Sequence, residues 1–309
     1  MADDMSISVR LNDDARGWRR PARSAALSRF VRNGGVTIML ATLPILPARA
    51  ADASAWDRTD YVAVRLIAGD ALRVSDALSV LRAGIEIKLA SGWKTYWRYP
   101  GDSGVPPRFD FARSDNVADI TIGWPAPQRF VDDGTTSIGY VGNLILPLRV
   151  VARDPAKPVQ LRLDLDYAIC EKLCMPAEAK LELQLNGEAS SEEKRIATAE
   201  TLMPKASRIG DDSALAIRTV RREGSGPSSR VIVDVSLPAG ADKVDLFAEG
   251  PTAQWALPVP ELVGGAPQGT KRFAFVIDGV PPGERPEGAQ LRLTAVSAER
   301  AIEAFYRLD

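Results

Sequence analysis

The chain has 309 residues, with 24 glycines, 22 prolines, two cysteines and no histidine. The missing imidazole excludes a Ser-His-Asp triad, a Cys-His pair, a His-ligated catalytic zinc and a histidine general base, and two cysteines cannot complete a four-thiolate zinc or iron–sulfur site within one chain. The 39 basic residues nearly balance 40 acidic ones, so nothing in the charge points to nucleic acid, and a 45% hydrophobic, 26% charged composition is that of an ordinary globular protein long enough for two cores.

Residues 1–50 hold eight arginines and four aspartates but no lysine. A short apolar stretch, Gly34 to Pro47, leads into Ala48-Arg49-Ala50. A basic region, a short apolar region and an A-x-A site predict a secretory signal peptide, cleaved after Ala50. The stretch is shorter than the roughly 20 residues that span a bilayer, and Pro44 and Pro47 interrupt it. Arg19-Arg20 lacks the hydrophobic continuation of a twin-arginine signal, so general secretion is expected. Cleavage leaves a net acidic chain whose two cysteines, Cys170 and Cys174, would work in an oxidising, extracytoplasmic compartment.

After residue 60 the dominant pattern is period-two alternation. Leu161 to Tyr167, Leu181 to Leu185 and Val231 to Leu237 place Leu and Val on one side and polar groups on the other, as half-buried antiparallel strands do. Further predicted strands are Tyr61 to Ala68, Ile85 to Ala90, Asp119 to Gly123 and Leu144 to Val151. In the second half they are Ala214 to Arg221, Lys243 to Ala248, Arg272 to Ile277, Gln290 to Val296 and Ala301 to Leu308. About seven strands per half, separated by Pro/Gly turns, predict an all-β protein of two immunoglobulin-like β-sandwich domains. Between them, Ser190 to Ser207 breaks the alternation. Ser190 and Glu193 have capping-box spacing, and Ile196, Ala199, Leu202 and Met203 share one helical face, which predicts a short joining helix. The expected domains are 51–188 and 206–309, with a helical linker at 189–205.

The chemistry rests on Cys170-Glu171-Lys172-Leu173-Cys174. Fully extended, four residues separate the Cα atoms by about 13 Å, whereas a disulfide needs roughly 4.4–6.8 Å, so the chain must turn between the cysteines to bond. Pro176 limits how far a helix could continue, and the pair is expected at a bend between two strands. Closing a loop of about five residues stabilises by roughly 2 kcal/mol, against nearly 5 for a 100-residue loop, which shifts the weight from staple to reactive dithiol. A local structural clip remains open. So does a Cu(I) site of the soft ligands Cys170, Cys174 and Met175. Lys172 is the only cation close in sequence, opposed by Glu171, so the thiols need not be strongly acidic.

Tyr167-x-x-Cys170-x-x-x-Cys174-x-Pro176, followed by an alternating strand, resembles the active-site segment of the N-terminal periplasmic domain of the thiol:disulfide interchange family DsbD, and more closely its copper-sensitivity suppressor branch, ScsB. Gly92 to Gly104 (GWKTYWRYPGDSG) resembles the aromatic strand and loop before that site, and Tyr140 to Leu148 the strand after its cap loop. The resemblance covers roughly residues 60–187. It implies a periplasmic immunoglobulin-like domain that needs no cofactor. Such a domain takes electrons from a thioredoxin-like or DsbD/CcdA-like membrane donor and passes them to oxidised periplasmic thiol proteins. By position, Cys174 would form the mixed disulfide and Cys170 would resolve it. A monomer that binds no nucleic acid is expected. The competing class is a non-catalytic module, either a copper-tolerance protein binding Cu(I) or an adhesin-like sandwich with a structural disulfide.

Three features depart from the family. The cysteine spacing is shorter than in DsbD. The cap segment Phe130 to Gly134 has no aromatic residue at the best-aligned position, which leaves Phe130 as a candidate cap. The sequence also carries no transmembrane bundle or thioredoxin-like domain, so separate partners are expected to supply electrons. Trp93, Tyr96, Trp97, Tyr140 and Tyr167 are candidates for shielding the dithiol or for docking, with core packing as their alternative role. Because the run Trp93 to Tyr99 does not alternate, some of its rings are expected to face solvent. Asp102, Asp132 and Asp133 are read as solvated loop acids.

Overall fold

A computed structural model describes residues 51–73, 79–132, 134–224, 229–298 and 300–309. The expected signal peptide, its cleavage site and Asp133 lie outside the described residues.

The first half contains β1 (Asp57–Arg58), β2 (Val62–Arg73), β3 (Ser79–Leu89), β4 (Lys94–Gly101), β5 (Arg108–Asp110) and β6 (Val117–Ile122). It continues with β7 (Gln128–Asp132), β8 (Thr135–Val141), β9 (Asn143–Ala152), β10 (Val159–Cys170) and β11 (Cys174–Leu185). One sheet has the order β1-β2-β3-β9-β6; the other runs β11-β10-β4-β8-β7, with β5 attached to β10. The alternation in the sequence explains how they pack. Leu161, Leu163, Leu165, Tyr167 and Ile169 of β10 point into a core shared with Val64, Leu66, Ile85, Leu146 and Leu148 of the facing sheet, while Arg162, Asp164 and Asp166 point outward.

After the helix α1 (Glu193–Thr201) come β12 (Lys205–Ala206), β13 (Ala216–Glu223), β14 (Arg230–Ser236) and β15 (Asp245–Glu249). The last strands are β16 (Glu261–Val263), β17 (Thr270–Val276), β18 (Gln290–Ser297) and β19 (Arg300–Arg307). They form the sheets β12-β19-β18-β15 and β13-β14-β17-β16. Val231, Val233, Val235, Phe273 and Phe275 pack against Leu246, Leu291, Leu293 and Ala295 in a second core. The all-β architecture of two sandwiches and one short helix matches the expectation. The first half has more strands than the seven expected, because short strands such as β1, β5 and β7 are too brief to show a period.

The helix departs from its predicted cap. Glu192 is the N-cap residue and makes no side-chain capping bond. Ser190 Oγ accepts from the Glu192 N–H at 3.1 Å and donates to Ala68 O at 2.6 Å, while the Glu193 carboxylate accepts from the Asp70 N–H at 2.8 Å and pairs with Arg82. Tertiary partners have taken both halves of the box. Ile196 and Ala199 are buried, as the periodicity predicts, but Leu202 is exposed. The helix lies against β2, β3 and β9, and its Arg195 joins Arg65 on the fully buried Glu86 of β3. It is therefore docked on the first sandwich.

The two sandwiches meet where β4 and β7 approach β15. Phe247 of β15 stands edge-on to Trp97 of β4, ring centroids 5.6 Å apart, and joins the first core. Arg98 bonds both carboxylate oxygens of Glu249, at 2.8 and 2.7 Å, and reaches Glu303 at 2.7 Å. Arg129 of β7 bonds Asp245 at 2.6 Å and the carbonyl of Pro260 at 2.9 Å.

Candidate active site

Strands β10 and β11 form a hairpin in unbroken register from Val159↔Leu185 to Cys170↔Cys174. The two cysteines are thus the last cross-strand pair, and Glu171, Lys172 and Leu173 make the turn. Cys170 and Cys174 form a disulfide, with Cα atoms 4.1 Å apart. The bend expected between them is this tight loop. Pro176 follows in β11, the outer strand of its sheet, where the missing N–H is tolerated.

The two sulfurs have different surroundings. Cys170 is 7% exposed and clusters with Tyr96 and Ala168, whereas Cys174 is exposed. Leu173, at the tip, is 78% exposed. On the inner side, Cys170 pairs across the sheet with Lys94 of β4, and Ile169 pairs with Thr95. Thr95 Oγ1 donates to the carbonyl of Ala168 at 2.9 Å, which ties β4 to the cysteine strand. Tyr96 Oη lies 3.1 Å from Cys174 Sγ. Gly104 lies against the Tyr96 ring: at its φ of +146°, an added Cβ would lie 2.5 Å from a ring carbon.

The β7–β8 hairpin leans over the same side. Asp132 at its tip pairs with Lys94, whose Nζ also donates to Ser137 Oγ at 3.1 Å and sits over the Phe130 ring, 5.3 Å from its centroid. Burial pushes the Tyr96 phenol above its ordinary value, and the charge of Asp132 adds to the effect. Asp132 is exposed, as expected of a solvated acid, and also pairs with Lys94. Nothing in the local sequence marks Lys94 as part of the site. It and Asp132 are 38 residues apart and no local pattern links them.

The aromatic candidates divide between site and core. Tyr96 reaches the disulfide. Trp97 is fully buried beneath the sandwich contact, and Tyr167, on the opposite face of β10 from Cys170, belongs to the first core. Tyr140 is also buried there, its hydroxyl donating to Pro125 O at 2.7 Å. Trp93 stacks on Tyr61 at 4.4 Å between ring centroids. Phe130 meets Lys94, as described. Of the rings from Trp93 to Tyr99, Trp93 and Tyr99 are half-buried and partly face solvent, whereas Tyr96 and Trp97 are buried. Both faces of β4 are covered, which removes the alternation. Met175 packs against the core, on the other face of β11 from Cys174, so the three soft atoms of the Cu(I) set do not converge. Among the described residues, no group of three or more His, Cys, Asp or Glu side chains could hold a metal ion.

Comparison with known proteins agrees with this geometry. Residues 63–186 match the family model described as "Thiol:disulfide interchange protein DsbD, N-terminal". The fold is similar to that of the N-terminal periplasmic domain of ScsB from Proteus mirabilis, at 20% identity and a TM-score of 0.64, over 83% of this chain and 98% of that one. That likeness extends across both sandwiches. No curated protein sequence matches the chain. Among the described residues, no helix is long and apolar enough to cross a membrane. Residues 63–186, which hold the disulfide hairpin, are thus similar to the N-terminal domain of the thiol:disulfide interchange protein DsbD.

Proposed function

We propose that this protein works in the periplasm, relaying reducing equivalents from a thioredoxin-like or membrane donor to oxidised protein thiols through Cys170 and Cys174. The observation that carries this reading is the asymmetry of the pair: Cys174 is open to solvent and Cys170 is buried. A donor thiolate attacks Cys174 Sγ, the intramolecular S–S bond breaks, and Cys170 leaves as a thiolate that takes up a proton. The donor's second thiol then attacks its own sulfur in the mixed disulfide and releases Cys174. The donor dithiol has become a disulfide and this protein's disulfide a dithiol. Toward substrate the steps reverse: Cys174 attacks the substrate disulfide, and Cys170 resolves the mixed disulfide. Neither imidazole nor metal is required.

Trapping tests the assignment. With Cys170→Ser, Cys174 should accumulate mixed disulfides with proteins of a periplasmic extract, identifiable by mass spectrometry. If only the reciprocal Cys174→Ser protein traps partners, the two roles are exchanged. A reduction potential below about −300 mV would instead mark the bond as a structural clip.

A further inference from the structure

We propose that Tyr96 is the hydrogen-bond donor that stabilises Cys174 as a thiolate, both when it attacks a disulfide and when it leaves one. The inference rests on the exchange reading and adds to it a group that touches the reacting sulfur. A thiol ionises more readily when a positive charge or a hydrogen-bond donor faces its sulfur. This chain has no histidine. The ammonium of Lys94, the cross-strand partner of Cys170, is turned to Asp132 and Ser137. Among the described residues, Tyr96 is the side chain that reaches a sulfur, and it reaches Cys174, the exposed one.

The surroundings fix this hydroxyl. The Tyr96 ring is packed with Ala168 and Cys170, and Gly104 closes over it with no room for a Cβ. Thr95, its neighbour, is tied to the cysteine strand through the carbonyl of Ala168. Burial and Asp132 raise the phenol, so it keeps its proton through the range in which a thiol titrates and can donate there. In the reduced protein, Cys174 gives its proton to solvent and the thiolate accepts from Tyr96 Oη. The thiolate then attacks a substrate disulfide. The Cys174–substrate S–S bond forms, the substrate's own S–S bond breaks, and its other sulfur departs as a thiolate and is protonated by water. The hydroxyl keeps its proton throughout.

The test is the pH profile of alkylation by iodoacetamide in the reduced Cys170→Ser protein, with and without Tyr96→Phe. Phe keeps the ring and its packing but removes the donor. The midpoint for Cys174 should rise by about one pH unit, so alkylation at neutral pH slows about tenfold, while the rate plateau at high pH is retained. In the Cys174→Ser background, the Cys170 midpoint should not move with Tyr96→Phe. Gly104→Ala, which keeps the hydroxyl but displaces the ring, should shift Cys174 in the same direction as Tyr96→Phe. An unchanged Cys174 midpoint in Tyr96→Phe overturns the proposal. So does a shift seen with Gly104→Ala alone, which would assign the effect to packing. Because the electrophile is a small reagent, this result is independent of whether trapping finds a protein partner.

Discussion

The two sandwiches share an architecture but not a chemistry. Each pairs two mostly antiparallel sheets around an apolar core, and each contains a long hairpin in register, β10–β11 in the first and β18–β19 in the second. The second hairpin ends in the pair Ser297↔Arg300, the first in Cys170↔Cys174 beside a tyrosine hydroxyl. On the exchange function proposed above, the reactivity comes not from the fold but from two thiols and a donor placed at one hairpin end. The second sandwich makes a different contribution. Its Phe247, Glu249 and Asp245 engage Trp97, Arg98 and Arg129 of β4 and β7, the strands that carry Tyr96 and Asp132.

The largest expected effect comes from cutting that support. Arg98 is 9% exposed at its side chain and holds two carboxylates, so Arg98→Ala removes the guanidinium that bonds both and leaves Glu303 with the longer contact to Arg292, at 3.8 Å. Removing one partner of a buried ion pair costs about 3–5 kcal/mol, and the partial exposure of both glutamates places this case at the lower end, about 3 kcal/mol. Urea unfolding should show the loss. Hydrogen exchange, read separately for peptides of β4 and β15, should show both strands opening earlier. A change below about 0.5 kcal/mol would mean that the sandwiches do not support one another.

A smaller effect separates the two halves by pH. In the first, burial acts to raise Glu86, but hydrogen bonds from Arg195 and Arg65 outweigh it and hold the carboxyl below its ordinary 4.5. In the second, Arg272 holds Asp234 below its ordinary 3.8, against burial and with help from Thr219. A depressed folded value means that the unfolded chain takes up protons first as pH falls. Each group's contribution is thus complete above its ordinary value and is lost as pH drops through the folded one. The first sandwich should begin to lose stability near pH 4.5, the second nearer 3.8. Glu86→Gln should flatten the acid limb of the first and Asp234→Asn that of the second, read by hydrogen exchange at β3 and β14. Equal slopes in Glu86→Gln and wild type would remove Glu86 as the cause.

What the sequence makes legible follows from how local each signal is. Leu161 to Tyr167 alternates because β10 buries one face, and that face is the core. The bend at the cysteines follows from their spacing, since four residues cannot stay extended and still bond. Strand β4 is illegible for the opposite reason: its two faces meet the core and the disulfide cluster, so no alternation survives. Its partner β8 hides too, because it needs glycine at 139, where a Cβ would come within 2.0 Å of Thr95 O. The contact of Tyr96 with Cys174 spans 78 residues and depends on β4 lying beside β10. Family resemblance drew attention to Tyr96, but only tertiary packing distinguishes it from Trp97 and Tyr167. The capping box fails likewise, because Ser190 and Glu193 found partners outside the helix.

The smallest expected effect on stability sharpens the comparison most directly. Leu173 in the first sandwich and Leu262 in the second are both large apolar residues on the surface, 78% and 60% exposed. Replacing either with alanine should change stability by no more than about 0.5 kcal/mol, since neither fills a core. Their positions differ: Leu173 lies between the cysteines at the exposed tip of the hairpin, next to Cys174, whereas Leu262 lies on β16. Leu173→Ala should therefore slow exchange with a protein disulfide, by about tenfold if the side chain is a docking contact worth ~1.4 kcal/mol, while leaving reduction by dithiothreitol unchanged. Leu262→Ala should alter neither rate. Equal slowing with the protein and the small reagent would mean that Leu173 shapes the disulfide loop itself. In that case the apolar tip belongs to the chemistry of the bond, and recognition of the partner must come from elsewhere on the first sandwich.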